Sequence, residues 1–405
     1  VPLAQLLLIA YVFCGCVYWL YLALGALRVL HAVPRLSQVP TSEPATWPRL
    51  SLIVPAANEA DAIESAARSI LAQDYPNLEL ILVDDRSTDA TGQIIDRLAA
   101  EDPRVVALHV RELPERWLGK VHALEQGVGR AEGDWLLLID ADVHLEPGTL
   151  RRAIAYSIQH ELDHLAVVPG MRSSSFLVDA AVSMFLRTFP VATRAWAVAR
   201  PDSNAFVGVG AFNLVRRTAF DRTEGFSWLR LEVVDDMGLA WMLKRHAARV
   251  CLADGSDLLW LYWYRSLDEM ARGTEKAFAA VADARLGLIL GFCLIIVLLE
   301  LAPLAALLPL GVMRLWPAGA AMLAALVLMI GLGKRRAGRP LLPGLLWPIG
   351  LVLNVGFLLR SAWLGWRRGG IVWRDTFYPT PMLREGKRVH LLWNPSCGAC
   401  KSRPD

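Results

Sequence analysis

The sequence predicts an α/β domain with a mostly parallel sheet, flanked by transmembrane helices. Three observations carry this: strands alternate with helices from Leu50 onward, three acidic clusters follow apolar runs, and uncharged stretches gather at the two ends. Leu6 to Leu27 carries no charge, and at ~1.5 Å per residue it crosses the ~30 Å core of a bilayer. It is longer than the apolar region of a signal peptide and ends at Arg28, so a retained helix is expected. His31 to Arg49 holds Pro34, Pro40, Pro44 and Pro48 and reads as a stiff linker.

From there the pattern alternates. Strands are expected at Ser51 to Pro55, Leu78 to Val83, Val105 to Leu108 and Trp135 to Ile139. Helices are expected at Asn58 to Gln73, Thr91 to Ala100 and Val121 to Ala131, each with apolar residues on one face. Such βαβ units build a Rossmann-like parallel sheet. After Asp142 the alternation weakens. Phe176 to Ala199 and Leu267 to Leu286 are apolar or amphipathic enough either to lie in the headgroup plane or to pack on the sheet.

Leu286 to Leu310, Leu315 to Leu332 and Leu341 to Leu359 are three further candidate membrane helices. The expected organisation is an N-terminal helix (1–30), a linker (31–49), the α/β domain (50–284), about three C-terminal helices (285–363) and a basic tail (364–405). Arg28, Arg35 and the loop Gly333 to Arg339 put the α/β domain on the cytosolic side. Four full crossings would place the basic tail opposite it. Either one apolar run is re-entrant or interfacial, as Pro303, Pro309, Pro343 and Pro348 allow, or the charge rule fails here; the count stays at four.

Composition excludes some classes. At 55% apolar residues the chain is too greasy for an ordinary soluble protein, and a net charge of +3 gives no reason to invoke nucleic acid. Six cysteines make no disulfide framework. Cys397 and Cys400 form a lone C-x-x-C in the tail, without a second pair for a zinc site.

The acidic clusters are Asp84-Asp85, Asp140-Ala141-Asp142 and Asp235-Asp236. Ligands of open α/β sheets bind beyond the carboxyl ends of the strands, so carboxylates there face a site. Asp140 and Asp142 are two residues apart and share a side of an extended backbone. One divalent cation can be held that way, with room left for diphosphate oxygens. The alternative is an acidic turn before Pro147, and His144 continues the series as a further ligand or as a surface histidine. Asp84 and Asp85 can accept hydrogen bonds from a ribose or base, or cap the next helix with Asp89. Asp235-Asp236 opens a helix from Met237 to His246, where a carboxylate stays anionic and can accept a proton. Gly119-Lys120 sets a cation at a helix start, suited to diphosphate. No G-x-G-x-x-G follows the first strand and no P-loop motif occurs.

Together with Ile53 to Glu59, Phe206 to Arg217, Tyr264 to Lys276 and Gly369 to Tyr378, these motifs resemble the membrane-bound family 2 glycosyltransferases with their GT-A domain. Ceramide glucosyltransferases and hopanoid- or carotenoid-associated glycosyltransferases are similar. The resemblance implies an integral multi-pass protein of a bacterial inner membrane with a cytosolic catalytic domain. It implies Asp84, Asp85 and the Pro55-Ala57-Glu59 turn at the nucleotide, and Asp140 at the ribose or sugar. Asp140 and Asp142 would hold Mg²⁺ or Mn²⁺, and Lys120 would face the diphosphate. Asp236, beside Asp235, would be the general base of an inverting transfer from a nucleotide sugar, UDP-linked by family likeness. The Q-x-x-R-W motif of processive synthases is absent, and the corresponding region offers Arg272 and Lys276. Transfer of one sugar to a lipid hydroxyl is the resulting expectation. The alternatives are a processive polysaccharide synthase or an inactive nucleotide-binding scaffold.

Overall fold

A computed structural model describes residues 3–276, 285–308 and 315–390; Cys397 and Cys400 lie outside them. In chain order the elements are α1 (Leu3–Ala32), β1 (Leu50–Ala56), α2 (Ile63–Leu71), β2 (Leu78–Asp85), α3 (Thr91–Glu101), β3 (Val105–Val110), α4 (Gly119–Arg130) and β4 (Trp135–Leu138). There follow β5 (His144–Leu145), α5 (Thr149–Gln159), β6 (His164–Met171), α6 (Phe176–Ala192), β7 (Asn213–Arg216), α7 (Arg217–Phe220), α8 (Phe226–Leu229), α9 (Asp235–Arg245), β8 (Val250–Leu261) and α10 (Leu267–Gly273). The chain ends with α11 (Leu286–Leu307), α12 (Trp316–Ala337), α13 (Leu341–Leu345), α14 (Trp347–Arg368), β9 (Gly370–Trp373), β10 (Thr376–Pro379) and α15 (Thr380–Gly386).

Eight strands form one sheet in the order β3-β2-β1-β4-β7-β6-β8-β5. The first four are parallel, as the βαβ pattern requires. Strands β1 and β2 are buried along their whole length, which is why they read as unbroken apolar runs. The second half is mixed: β7 runs antiparallel to both β4 and β6, and β8 is parallel to β6. The order steps from β1 to β4 beside the first crossover, so the ends of β1, β2 and β4 open onto one crevice.

Two segments take forms that the sequence pattern does not show. The run Leu231 to Val234 is not a strand; it is a turn into α9. Glu232 in that turn is 1% exposed and accepts the backbone N–H groups of Arg388 and Val389, so the turn serves to seat the tail. The proline-rich segment is not a free spacer. Val33 and Leu36 are buried, and residues 34–36 pair with Asp254 at the edge of β8.

Among the described residues five helices are long and apolar enough to cross a membrane, one more than the sequence reading counted, the addition being Phe176–Ala197. The third C-terminal run is broken at Leu346, between α13 and α14, near Pro343 and Pro348. Between α1, α6 and α11, the carboxylate of Glu300 is fully buried, 2.8 Å from Arg187 Nη2, and accepts the Tyr18 hydroxyl at 2.6 Å. An unpaired charge in an apolar layer costs several kcal/mol, so these partners are a condition of the packing. α12 returns to the domain, where Arg336 binds Asp254 and the carbonyls of Leu30 and Val33. Beyond α14 the chain is back on the domain as well. Arg368 pairs with Glu275 at 3.0 Å, and Ile371, Tyr378, Leu383 and Val389 join the core that contains Val83 and Leu136. The described part of the tail, up to His390, therefore packs on the α/β domain.

Candidate active site

Pro55, Lys120, Asp140, Gly210, Asp235 and Asp236 line one cleft at the strand ends. They come from five motifs far apart in sequence; the sheet order brings them together. Lys120, on the first turn of α4, lies 2.9 Å from Asp140 Oδ1 and 3.1 Å from Asp235 Oδ2. Burial works against its charge, but Asp140, Asp235 and Asp236 outweigh burial and raise its pKa. Burial likewise pushes Asp140 up, and Lys120 holds it below its ordinary value.

Asp236 opens α9. Its Oδ2 accepts Gly210 N–H at 3.0 Å and its Oδ1 accepts Met237 N–H at 2.8 Å. Burial and the neighbouring Asp235 raise its pKa to about 6. The loop Phe206 to Phe212, which leads into β7, must come close for this to work. A Cβ on Gly208 would sit 1.8 Å from the Asp236 carbonyl oxygen, and one on Gly210 would sit 2.7 Å from Asp140 Oδ2. These glycines let the loop touch both acidic clusters.

Asp142 stands apart from the cations. Burial, then Asp140 and Glu59, push its pKa up to about 7. Glu59 is raised as well, mainly by burial. His144 is not free to join: its nitrogens lie 3.1 Å from the Asp142 carbonyl and 3.1 Å from Ser65 Oγ, and its ring stacks on Trp260.

The Asp84-Asp85 pair divides. Asp84 is buried, 3.0 Å from His109 Nδ1, and accepts Ser87 N–H, so it holds the turn after β2. Asp85 is paired with Arg86 Nε at 2.9 Å and Arg374 Nη1 at 3.4 Å. Asn58, in a left-handed conformation beside Ala57, accepts Thr88 N–H and ties the β1 turn to the β2 turn. Glu59 N–H donates to Thr91 Oγ1.

Sequence reasoning missed the contribution of the segments next to the membrane helices. Lys276 makes no salt bridge among the described residues and stands 4.9 Å above the Trp373 ring. Desolvation and Lys120 lower its pKa, against the pull of Asp235, Asp236 and Asp140. Tyr378 Oη accepts Gly119 N–H at 3.2 Å, at the start of the helix that carries Lys120. The signal was present: Lys276, Trp373, Arg374 and Tyr378 fall in the segments noted for their resemblance, but no local pattern assigns them a partner.

Residues 51–237 match the sequence pattern of the family described as Glycosyl transferase family 2. The α/β domain belongs to that family. The chain is similar to the succinoglycan biosynthesis protein ExoO of Rhizobium meliloti, 37% identical over 30% of this chain and 34% of that protein. It is also similar to the beta-monoglucosyldiacylglycerol synthase of a Synechocystis species, 28% identical over 56% of this chain and 48% of that protein. The chain thus spans a third to a half of the length of these relatives. Among solved structures, a mannosyltransferase from Pyrobaculum calidifontis, in complex with GDP-Man and Mn²⁺, superimposes with a TM-score of 0.51. The match covers 88% of this chain and 98% of that one at 20% identity, a likeness of fold. The chain accordingly carries a family 2 glycosyltransferase domain with the GT-A fold, flanked by long apolar helices.

Proposed function

We propose that this glycosyltransferase moves one sugar from a nucleotide sugar to a hydroxyl of a membrane lipid, with inversion at the anomeric carbon. The observation that carries the reading is Asp236, fixed by two backbone N–H groups beside a cluster of cations, in a domain whose flanks are apolar helices. A carboxyl with a pKa of about 6 is ionised at neutral pH and basic enough to take a proton in the transition state. Asp236 would accept the acceptor's hydroxyl proton while that oxygen attacks the anomeric carbon. The bond from that carbon to the nucleoside diphosphate breaks on the opposite face.

Lys120 and Lys276 would face the departing diphosphate, with Arg374 and Asp85 at the nucleoside end. Lys276 supports this: a half-buried ammonium that makes no salt bridge among the described residues is a place for an anion. Preorganised charge at the leaving group usually supplies the largest share of such a rate enhancement.

The acid cluster fits a divalent cation. Burial first, and then the neighbouring carboxylates, lift Asp142 to about 7 and raise Glu59, and a cation between them would favour their ionised forms. Among the described residues no three His, Cys, Asp or Glu side chains converge on one point. Asp142 and Asp140 would therefore hold Mg²⁺ or Mn²⁺ together with water and diphosphate oxygens, the usual style of Mg²⁺ binding. When bound, the metal would neutralise charge on the leaving diphosphate.

The domain would be cytosolic, with α1, α11 and α12 crossing the membrane. α6, α13 and α14 leave and rejoin the domain side, as re-entrant or interfacial elements. The lipid acceptor is further supported by the Synechocystis relative, whose name is that of a glucolipid synthase.

The test is incubation of membranes with radiolabelled UDP- and GDP-sugars, with Mg²⁺ or Mn²⁺ against EDTA, followed by organic extraction. Metal-dependent label in one lipid product is expected. Label confined to insoluble high-mass material would instead establish a polymer synthase, and no label with any donor would establish a scaffold.

A further inference from the structure

A second cavity lies outside the donor cleft. It is a groove of about 310 Å³ where the ends of β6 and β8 meet the turn between α12 and α13. Arg172, Ser173, Ser256, Trp260 and Arg339 line it, with Glu146 and Asp257. Both carboxylates are already engaged. Glu146 accepts Trp260 Nε1–H at 3.0 Å, and Asp257 accepts the Ser37 hydroxyl and pairs with Arg35.

The arginines are not matched in the same way. Arg339 is 93% buried, donates to Asp179 and the Met171 carbonyl, and keeps its Nε without any partner. Arg172 makes no salt bridge among the described residues; its guanidinium lies exposed, 3.2 Å from the Trp260 ring centre. A buried orphan N–H costs free energy that a ligand oxygen would recover. Arginine presents donors in a planar fork that matches phosphate.

The surroundings give the ligand's other half. Phe176, Leu177, Leu341 and Leu342 are 39–60% exposed where α6 and α13 leave the groove. Trp260 stands between Arg172, just past β6, and His144 on β5, and the groove shares no lining residue with the cleft.

We propose that this groove binds the phosphate of a membrane lipid head group, with the acyl chains lying over Phe176, Leu177, Leu341 and Leu342. The site is distinct from the donor cleft and does not depend on the reaction assigned to it. Its role is to seat the catalytic domain at a fixed height on an anionic membrane surface.

Native mass spectrometry of the detergent-purified full chain tests this, with phosphatidylglycerol, diacylglycerol and inorganic phosphate as probes. The wild type is expected to retain one phosphatidylglycerol and no diacylglycerol. Arg172→Gln should lower that occupancy roughly tenfold, the size of one lost charge-assisted hydrogen bond. Ser256→Glu, which adds an opposing carboxylate to the same groove, should lower it too. Arg130→Gln, at a surface pair with Glu132, should leave it unchanged. Retention of diacylglycerol as strong as that of phosphatidylglycerol, or equal retention by Arg172→Gln, would overturn the proposal. So would binding of inorganic phosphate with no lipid retained, which would assign the site to a soluble anion.

Discussion

The two halves of the donor cleft are built by different means. On the parallel side, Asp84, Asp85, Asp140 and Asp142 stand where strands end, and the strand fixes each carboxylate locally. On the other side, Asp236, Lys276, Arg374 and Tyr378 come from the start of α9, the segment before α11 and a hairpin beyond the last long apolar helix. The last three depend on packing between segments as much as 289 residues apart, as Asp85 and Arg374 show. The first half is a property of a sheet. The second is complete only when the apolar helices bring the chain back to the domain.

This difference can be broken from either side. The largest effect is expected for Asp236→Asn, which removes the base while keeping its shape. Turnover should fall about 10³-fold with donor KM little changed, measured with labelled donor on membranes. Gly208→Ala attacks the same residue through the backbone. Its new Cβ would meet the Asp236 carbonyl, and a displacement near 1 Å at a reacting group costs about 10²-fold in rate.

Lys276→Met comes next. Loss of one preorganised charge at the leaving group should lower kcat about 10²-fold, and Lys276→Arg should recover part of it. Tyr378→Phe is the mildest. It removes a single acceptor for Gly119 N–H, worth about 1 kcal/mol, and should raise donor KM several-fold without altering kcat.

The pH dependence follows from the direction of the Asp236 shift. Its raised pKa means the base is protonated and idle in acid, so kcat/KM should rise with pH through about 6 at saturating metal. Asp236→Asn should flatten that limb of the profile.

The same contrast explains what the sequence could show. The strands β1 to β4 and their helices were legible because a buried parallel sheet imposes apolar runs at regular spacing. The carboxylates at their ends were legible for the same reason. Asp235-Asp236 was found although the run before it is a turn, because an acidic pair opening a helix is itself a signal. Lys276 was noted only as a residue standing in place of an absent motif. Arg374 and Tyr378 were counted with a basic tail of uncertain side. Nothing local in those stretches encodes a partner across the apolar helices, and counting every apolar run as a crossing left the side of the tail open. The split roles of Asp84 and Asp85 were hidden as well, since adjacent strand residues point to opposite faces and only the neighbours decide which one meets the cleft.

The most direct test of this account is nucleoside diphosphate binding by the full chain and by Lys276→Met, measured by isothermal titration calorimetry in the presence of Mg²⁺. UDP and GDP should be tried alongside the corresponding nucleosides. The expected result is about tenfold weaker diphosphate binding in the variant with nucleoside binding unchanged. Equal diphosphate affinity in the two proteins would contradict the claim that the juxtamembrane segment completes the donor site.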